Sequence, residues 1–132
     1  VKPNQFDTTK INDELILKRA RHVITENDRV LKAKQSILHK DIKLFGELMN
    51  ESHLSYAKDF EASTDDADLI VERSISSGAE GARLTGGGFG GFTVSLIHSS
   101  NYHYWKTNMN KYYSDWKKNI HQYYNDENVF EV

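Results

Sequence analysis

A single α+β domain is what these 132 residues predict, on three observations. Through the first half of the chain, apolar residues recur at three- and four-residue spacing behind residues suited to cap helices. The period then changes to that of strands, in two short runs with β-branched residues. Between those runs, positions 81–91 hold six of the eight glycines, the signature of a specialised turn rather than of drift.

Residues 1–10, with the sole proline at Pro3, read as an irregular entry. Asn12 or Asp13 caps a helix to about Lys40, with Leu15, Ala20, Val23, Ile24, Leu31, Ile37 and Leu38 near helical spacing and a charged patch at 26–29. Asp41 opens a second helix, on which Ile42, Phe45, Leu48, Met49, Ser52 and Tyr56 share a face. Residues 61–66 connect it to a third, for which Ser63 with Asp66 resembles a capping box, ending near Gly78. Residues 81–85 and 92–98 are the strands. Ser99, Ser100 and Asn101 form a turn that caps a long helix to about Tyr124, and 128–132 is a final strand. Strand–strand–helix–strand is the latter part of a ferredoxin-like β-α-β-β-α-β arrangement of helices packed on an antiparallel sheet. The first strand of that arrangement is apparently missing, so either the sheet closes differently or part of the domain is absent.

Composition narrows the function. Seventeen basic against nineteen acidic residues give a net charge of −2, which leaves no bulk basic field for a nucleic-acid backbone. With no cysteine there is no disulfide scaffold, thiolate metal site or thiol nucleophile. Apolar runs fall well short of the ~20 residues that span a bilayer. No signal peptide opens the chain, so the expected compartment is cytoplasmic and no membrane partner is expected. The first residue is Val1 rather than Met, so a piece of something larger is expected.

Within the glycine segment, five glycines occupy the six positions 86–91. Such a run allows positive φ and close approach to a ligand, and its N–H groups can converge on phosphate oxygens. The competing reading is a loop with no ligand. Gly86, Gly88 and Gly91 satisfy GxGxxG, but a strand follows where a dinucleotide motif needs a helix. A P-loop needs Gly-Lys-Ser/Thr, and here Gly91 precedes Phe92. A protein-kinase loop lacks its downstream HRD and DFG partners. GFGGFTV echoes an RNA-recognition strand, without its leading basic residue or partner strand.

The string GARLTGGGFGGFTVSLI at 81–97 is similar to the third motif of galactokinases, members of the GHMP small-molecule kinases. RARHVITEN at 19–27 and LFGELMNESH at 44–53 also resemble galactokinase segments, in the same order. Phe92 stands where galactokinases commonly have Cys, and Leu84 where Met is frequent, while the tail after Ile97 matches loosely.

This resemblance implies a GHMP kinase C-terminal domain. It implies ATP-dependent phosphorylation of the anomeric hydroxyl of galactose, with Mg²⁺, in the complete enzyme. The family's PxGxGLxSS phosphate loop and its activating aspartate and arginine belong to an N-terminal domain that is not in this sequence. No catalytic residue is therefore expected here, and the isolated chain is expected to be inactive. Expected partners are galactose, ATP and that N-terminal domain. The phosphate-proximal residues implied are Arg83, Thr85, Gly86, Gly87, Gly88, Gly90 and Gly91. A sugar and ATP sensor without catalysis is the alternative that the same resemblance allows.

For Arg83, contact with phosphate competes with an ordinary solvent-facing role, and Thr85 either binds ligand or closes the turn. Asn50, Ser52 and His53 read as a polar cluster that stitches their helix to the hairpin or to a neighbouring domain. The six histidines lack HxH or HxxxH spacing, so no protein-held metal is expected. Ser114 to Lys117 forms an SxxK without its supporting motifs. Tyr102, Trp105, Met109, Tyr112, Trp116, Ile120 and Tyr123 form a core-facing stripe on the last helix.

Overall fold

The computed structural model describes residues 2–119. Two 3-10 turns, Pro3–Gln5 and Thr8–Lys10, lead into α1 (Glu14–Leu38), then α2 (Ile42–Lys58) and α3 (Asp65–Ser76). A hairpin of β1 (Gly81–Thr85) and β2 (Phe92–Leu96) follows, then a 3-10 turn at Ser99–Asn101 and α4 (Tyr102–Asn119). The predicted α+β class holds, with helices packed on an antiparallel pair. The predicted strand at 128–132 and the far end of the last helix lie outside the described residues. Among the described residues, no helix is long and apolar enough to cross a membrane.

Local chemistry sets the helix starts. Asp13 accepts the Ile16 N–H at 3.1 Å and Asp41 accepts that of Leu44 at 3.0 Å, each giving an acceptor to an otherwise orphaned donor. At α3 the cap is Thr64, which accepts the Ala67 N–H at 3.2 Å. The expected box from Ser63 is therefore displaced by one residue, and the Ser63 hydroxyl donates instead to Asp68 at 2.5 Å. Gly78, at φ +101°, takes the left-handed position that ends α3.

The strands pair with Gly81 opposite Leu96 and Thr85 opposite Phe92. Alternation then separates two faces. Ala82 and Leu84 are buried, and their neighbours Ser95 and Thr93 lie on the same side, toward α3. Ser74 of α3 hydrogen-bonds Ser95 at 2.7 Å and accepts the Trp105 indole N–H of α4 at 2.9 Å. The small apolar core includes Leu48, Val71, Ala82, Leu84 and Met109, all buried. The opposite face carries Arg83 and Thr85 beside the exposed Phe92 and Val94.

α2 runs along the outer edge of β1 at the distance of backbone contact. A Cβ on Gly46 would collide with the Glu80 backbone, and one on Gly81 would collide with Gly46, so both positions require glycine.

α1 inverts the usual amphipathic rule. Ile16, Val23, Val30 and Ile37, seven residues apart, are exposed, as are Leu31 (64%) and Leu38 (65%). Inward, against α2, it buries His22 and Ser36 and turns Glu26 and Arg29 toward the molecule. The helical spacing of its apolar residues identified the helix and not the side that packs.

Candidate functional site

The hairpin loop 86–91 is left-handed at nearly every step. Gly86, Gly88, Gly90 and Gly91 have φ of +92°, +92°, +122° and +104°, and Phe89 has +58°. Only glycine enters these regions without a steric penalty, which explains the run. The single exception, Phe89, holds its conformation with its side chain 77% exposed. Its backbone N–H donates to the Ala62 carbonyl at 2.7 Å, a firm anchor to the connection between α2 and α3.

The loop therefore has two sides. A Cβ at Gly88 would come within 2.6 Å of both the Ala62 carbonyl oxygen and the Tyr56 hydroxyl. The same hydroxyl donates to the Gly86 carbonyl at 3.4 Å. At Gly86, Gly87 and Gly90 an added Cβ would meet nothing within 4 Å. One side is pinned to the domain and the other is open, which suits a backbone meant to approach an anion.

α2 fixes the strand leading into the loop. Asn50 Oδ1 accepts the Ala82 N–H at 2.9 Å, and its Nδ2 donates to the Glu80 carbonyl at 3.4 Å. His53 Nδ1 accepts the Leu84 N–H at 3.2 Å. These side chains satisfy the edge that β1 turns away from β2, as a neighbouring strand would. Ser52 is turned the other way, and its hydroxyl donates to Glu26 of α1.

Arg83 takes a course that neither sequence reading described. Its Nε donates to the Leu84 carbonyl at 3.1 Å and its Nη1 to Glu26 Oε1 at 3.3 Å. Glu26 Oε2 accepts Arg29 Nε at 2.8 Å. Burial would raise the Glu26 carboxyl, but hydrogen bonds from Ser52 and Arg29 and the charges of Arg29 and Arg83 outweigh it and hold it below the usual range. Thr85 is exposed at the strand end, where it closes the register opposite Phe92.

A second polar cluster lies on the same side of α2. His22 Nδ1 lies 3.0 Å from Ser55 Oγ, and Ser55 donates to Asp59 at 3.1 Å. The serine sits between histidine and aspartate, the wrong order for an activated nucleophile. His22 also stacks on Phe60, with centroids 4.9 Å apart, and burial lowers its pKa. Arg19 donates to the Asp59 carbonyl and, at 2.8 Å, to Glu61. Among the described residues, no group of three metal-ligating side chains is gathered.

The three motif segments thus converge: 44–53 lies along the strand that feeds the glycine loop, and 19–27, packed on α2, reaches that strand through Glu26. Glu26, Tyr56 and Ala62 went unnoticed as parts of this arrangement. Glu26 belongs to the charged patch at 26–29, whose composition does not say which way it faces, and no local signal in the sequence sets Tyr56 or Ala62 apart. Gly46 did carry a signal, a lone glycine inside a helical run.

A family model described as "GHMP kinases C terminal" matches residues 33–103. The galactokinase of Clostridium acetobutylicum is 48% identical over 96 residues, covering 70% of this chain and 25% of that protein. That of Levilactobacillus brevis is 37% identical over 115 residues, covering 85% and 30% respectively. A crystal structure of Lactococcus lactis galactokinase complexed with galactose superposes with a TM-score of 0.77 and 34% identity, over 85% of this chain and 29% of that one. The chain therefore spans between a quarter and a third of the length of these relatives. Matched by the family model over more than half of its residues, and by sequence and fold alike to galactokinases, the chain belongs to the GHMP kinases, in their C-terminal region.

Proposed function

We propose that this chain is the C-terminal domain of a galactokinase, which transfers a phosphoryl group from ATP to the anomeric hydroxyl of galactose. The observation that carries this reading is the glycine hairpin, pinned to the domain at Gly88 and Phe89 and open at Gly86, Gly87 and Gly90. Its setting, inside a chain similar to galactokinases on both sides of the loop, supports a phosphate ligand.

In phosphoryl transfer the protein's share is positioning and stabilisation of charge that spreads over phosphoryl oxygens. An open glycine backbone offers N–H dipoles without bulk and without a proton to titrate. Arg83 and Thr85 stand at the mouth of the loop, with Gly86, Gly87, Gly88, Gly90 and Gly91 forming the phosphate end of the cleft. The residues present suit phosphate. Among the described residues no group of three metal-ligating side chains is gathered, and Mg²⁺ enters this reading only with the ATP of the complete enzyme. Most of the sugar contacts and the groups that activate the hydroxyl belong to the N-terminal domain in this reading. The uncovered apolar face of α1 and the exposed Phe92 and Val94 support a reading in which the rest of the kinase packs here.

Two adjacent substitutions in the complete kinase test the reading. Gly87→Val, on the open side, is expected to lower kcat/KM for ATP by about tenfold or more with little change in melting temperature. Gly88→Val is expected to destabilise the fold, because its side chain would enter Ala62 and Tyr56. A Gly87→Val enzyme with unaltered kinetics would remove the phosphate role of the hairpin.

A further inference from the structure

We infer that Glu26 is a positioning residue of this kinase, acting on the phosphate end of the cleft through Arg83. The inference rests on the phosphate reading of the hairpin given above.

Arg83 lies three residues before the first loop glycine and is held at two points of its guanidinium. Nε is fixed by the Leu84 carbonyl at 3.1 Å and Nη1 by Glu26 at 3.3 Å. Among the described residues, the remaining guanidinium N–H groups have no acceptor, and the side chain stays 34% exposed. Arg29, the other arginine on the same carboxylate, is only 12% exposed. Of the two cations, Arg83 is the one that an incoming anion can reach.

Glu26 is itself immobilised from two sides. Arg29 grips Oε2 at 2.8 Å from the same helix and donates through Nη2 to Thr25 at 3.0 Å, while Ser52 donates to Oε1 from α2. One carboxylate therefore holds two arginines, and the cluster keeps one positive charge in excess. A pair built only for stability would be better balanced. A guanidinium with donors to spare, fixed before its ligand arrives, is instead what anion recognition requires. The arrangement also gives the inward carboxylate of α1 a partner on the strand.

The test is a double-mutant cycle in the complete kinase, with kcat, KM for ATP and melting temperature measured for Glu26→Gln, Arg83→Met and the pair. Removing the Arg83 charge is expected to raise KM for ATP by about tenfold, and Glu26→Gln by about three- to fivefold, each with kcat changed less than about twofold. The double variant is expected to be no worse than Arg83→Met alone, because Glu26 acts only through that arginine. If Glu26→Gln lowers the melting temperature sharply, Ser52→Ala serves instead: it frees one side of the carboxylate, keeps its charge, and is expected to shift KM in the same direction. Additive effects, or a loss of stability with KM unmoved, would make Glu26 a structural staple and overturn the inference. KM unmoved in both Arg83→Met and Glu26→Gln, with Gly87→Val still damaging, would reject Arg83 and Glu26 while leaving the hairpin in place. Gly87→Val and Arg83→Met both silent would remove the phosphate reading itself.

Discussion

At His53 two elements meet on one ring. Nδ1 accepts the Leu84 N–H at 3.2 Å, so the neutral ring carries its proton on Nε2. That proton lies toward Asp68, 3.2 Å away, within ion-pair distance but without the alignment of a hydrogen bond. Burial lowers the His53 pKa below its ordinary 6.5, against the opposing pull of Asp68, and Arg83 adds to the lowering. Protonating Nδ1 would set N–H against N–H and break the tie to β1. With a folded pKa below the unfolded one, the tie's contribution is complete above 6.5 and is lost as pH falls through the lowered folded value. Hydrogen exchange reads this directly. Protection of the Leu84 amide is expected to fall by up to roughly tenfold per pH unit below that point. The Ala82 amide, held by Asn50, which does not titrate, is expected to change less. Equal behaviour of the two amides would show that His53 titration is not felt at the strand.

At the scale of elements, the tightest junction is between α2 and β1. The mutual exclusion of Cβ atoms at Gly46 and Gly81 brings the helix close enough for Asn50 and His53 to reach the strand's backbone. Gly46→Ala would gain up to ~1 kcal/mol of helix propensity. The collision with the Glu80 backbone outweighs it, and a net loss of about 1–3 kcal/mol is expected, measurable as a lower denaturant midpoint. An unchanged midpoint would mean that helix and strand can separate without cost. Asn50 and His53 also explain how a hairpin of two strands leaves one edge satisfied: side chains of a helix take the place of a third strand's backbone.

For the whole molecule, the informative feature is where the apolar surface lies. Ile16, Val23, Val30 and Ile37 repeat along the outside of α1, and Phe92 and Val94 are uncovered on the sheet. Patches of this kind mark surfaces that something else covers. If the rest of the kinase covers α1, Val30→Lys has opposite effects in two contexts. In the isolated 132-residue chain it is expected to raise solubility, since it only replaces exposed apolar area. In the complete kinase it is expected to lower stability by about 1–3 kcal/mol, through burial of an unpaired charge. Loss of stability in neither context would place the covering surface elsewhere.

The sequence alone determined the order and approximate bounds of the helices, the hairpin and the identity of the glycine loop. Those are set by local quantities: spacing, cap chemistry and the steric freedom of glycine. It also brought 19–27, 44–53 and 81–97 to attention, but as three separate strings. Tertiary structure decided what joins them. Arg83 is partly exposed and yet held, because a carboxylate 57 residues earlier in the chain accepts a hydrogen bond from it at 3.3 Å. Gly87 and Gly88 look alike in the sequence and differ because Gly88 has a φ of +92° and stands against Ala62 and Tyr56. The inward face of α1 was illegible for the same reason. Periodicity records that a helix has two sides, and which side is buried depends on the neighbours that the fold supplies.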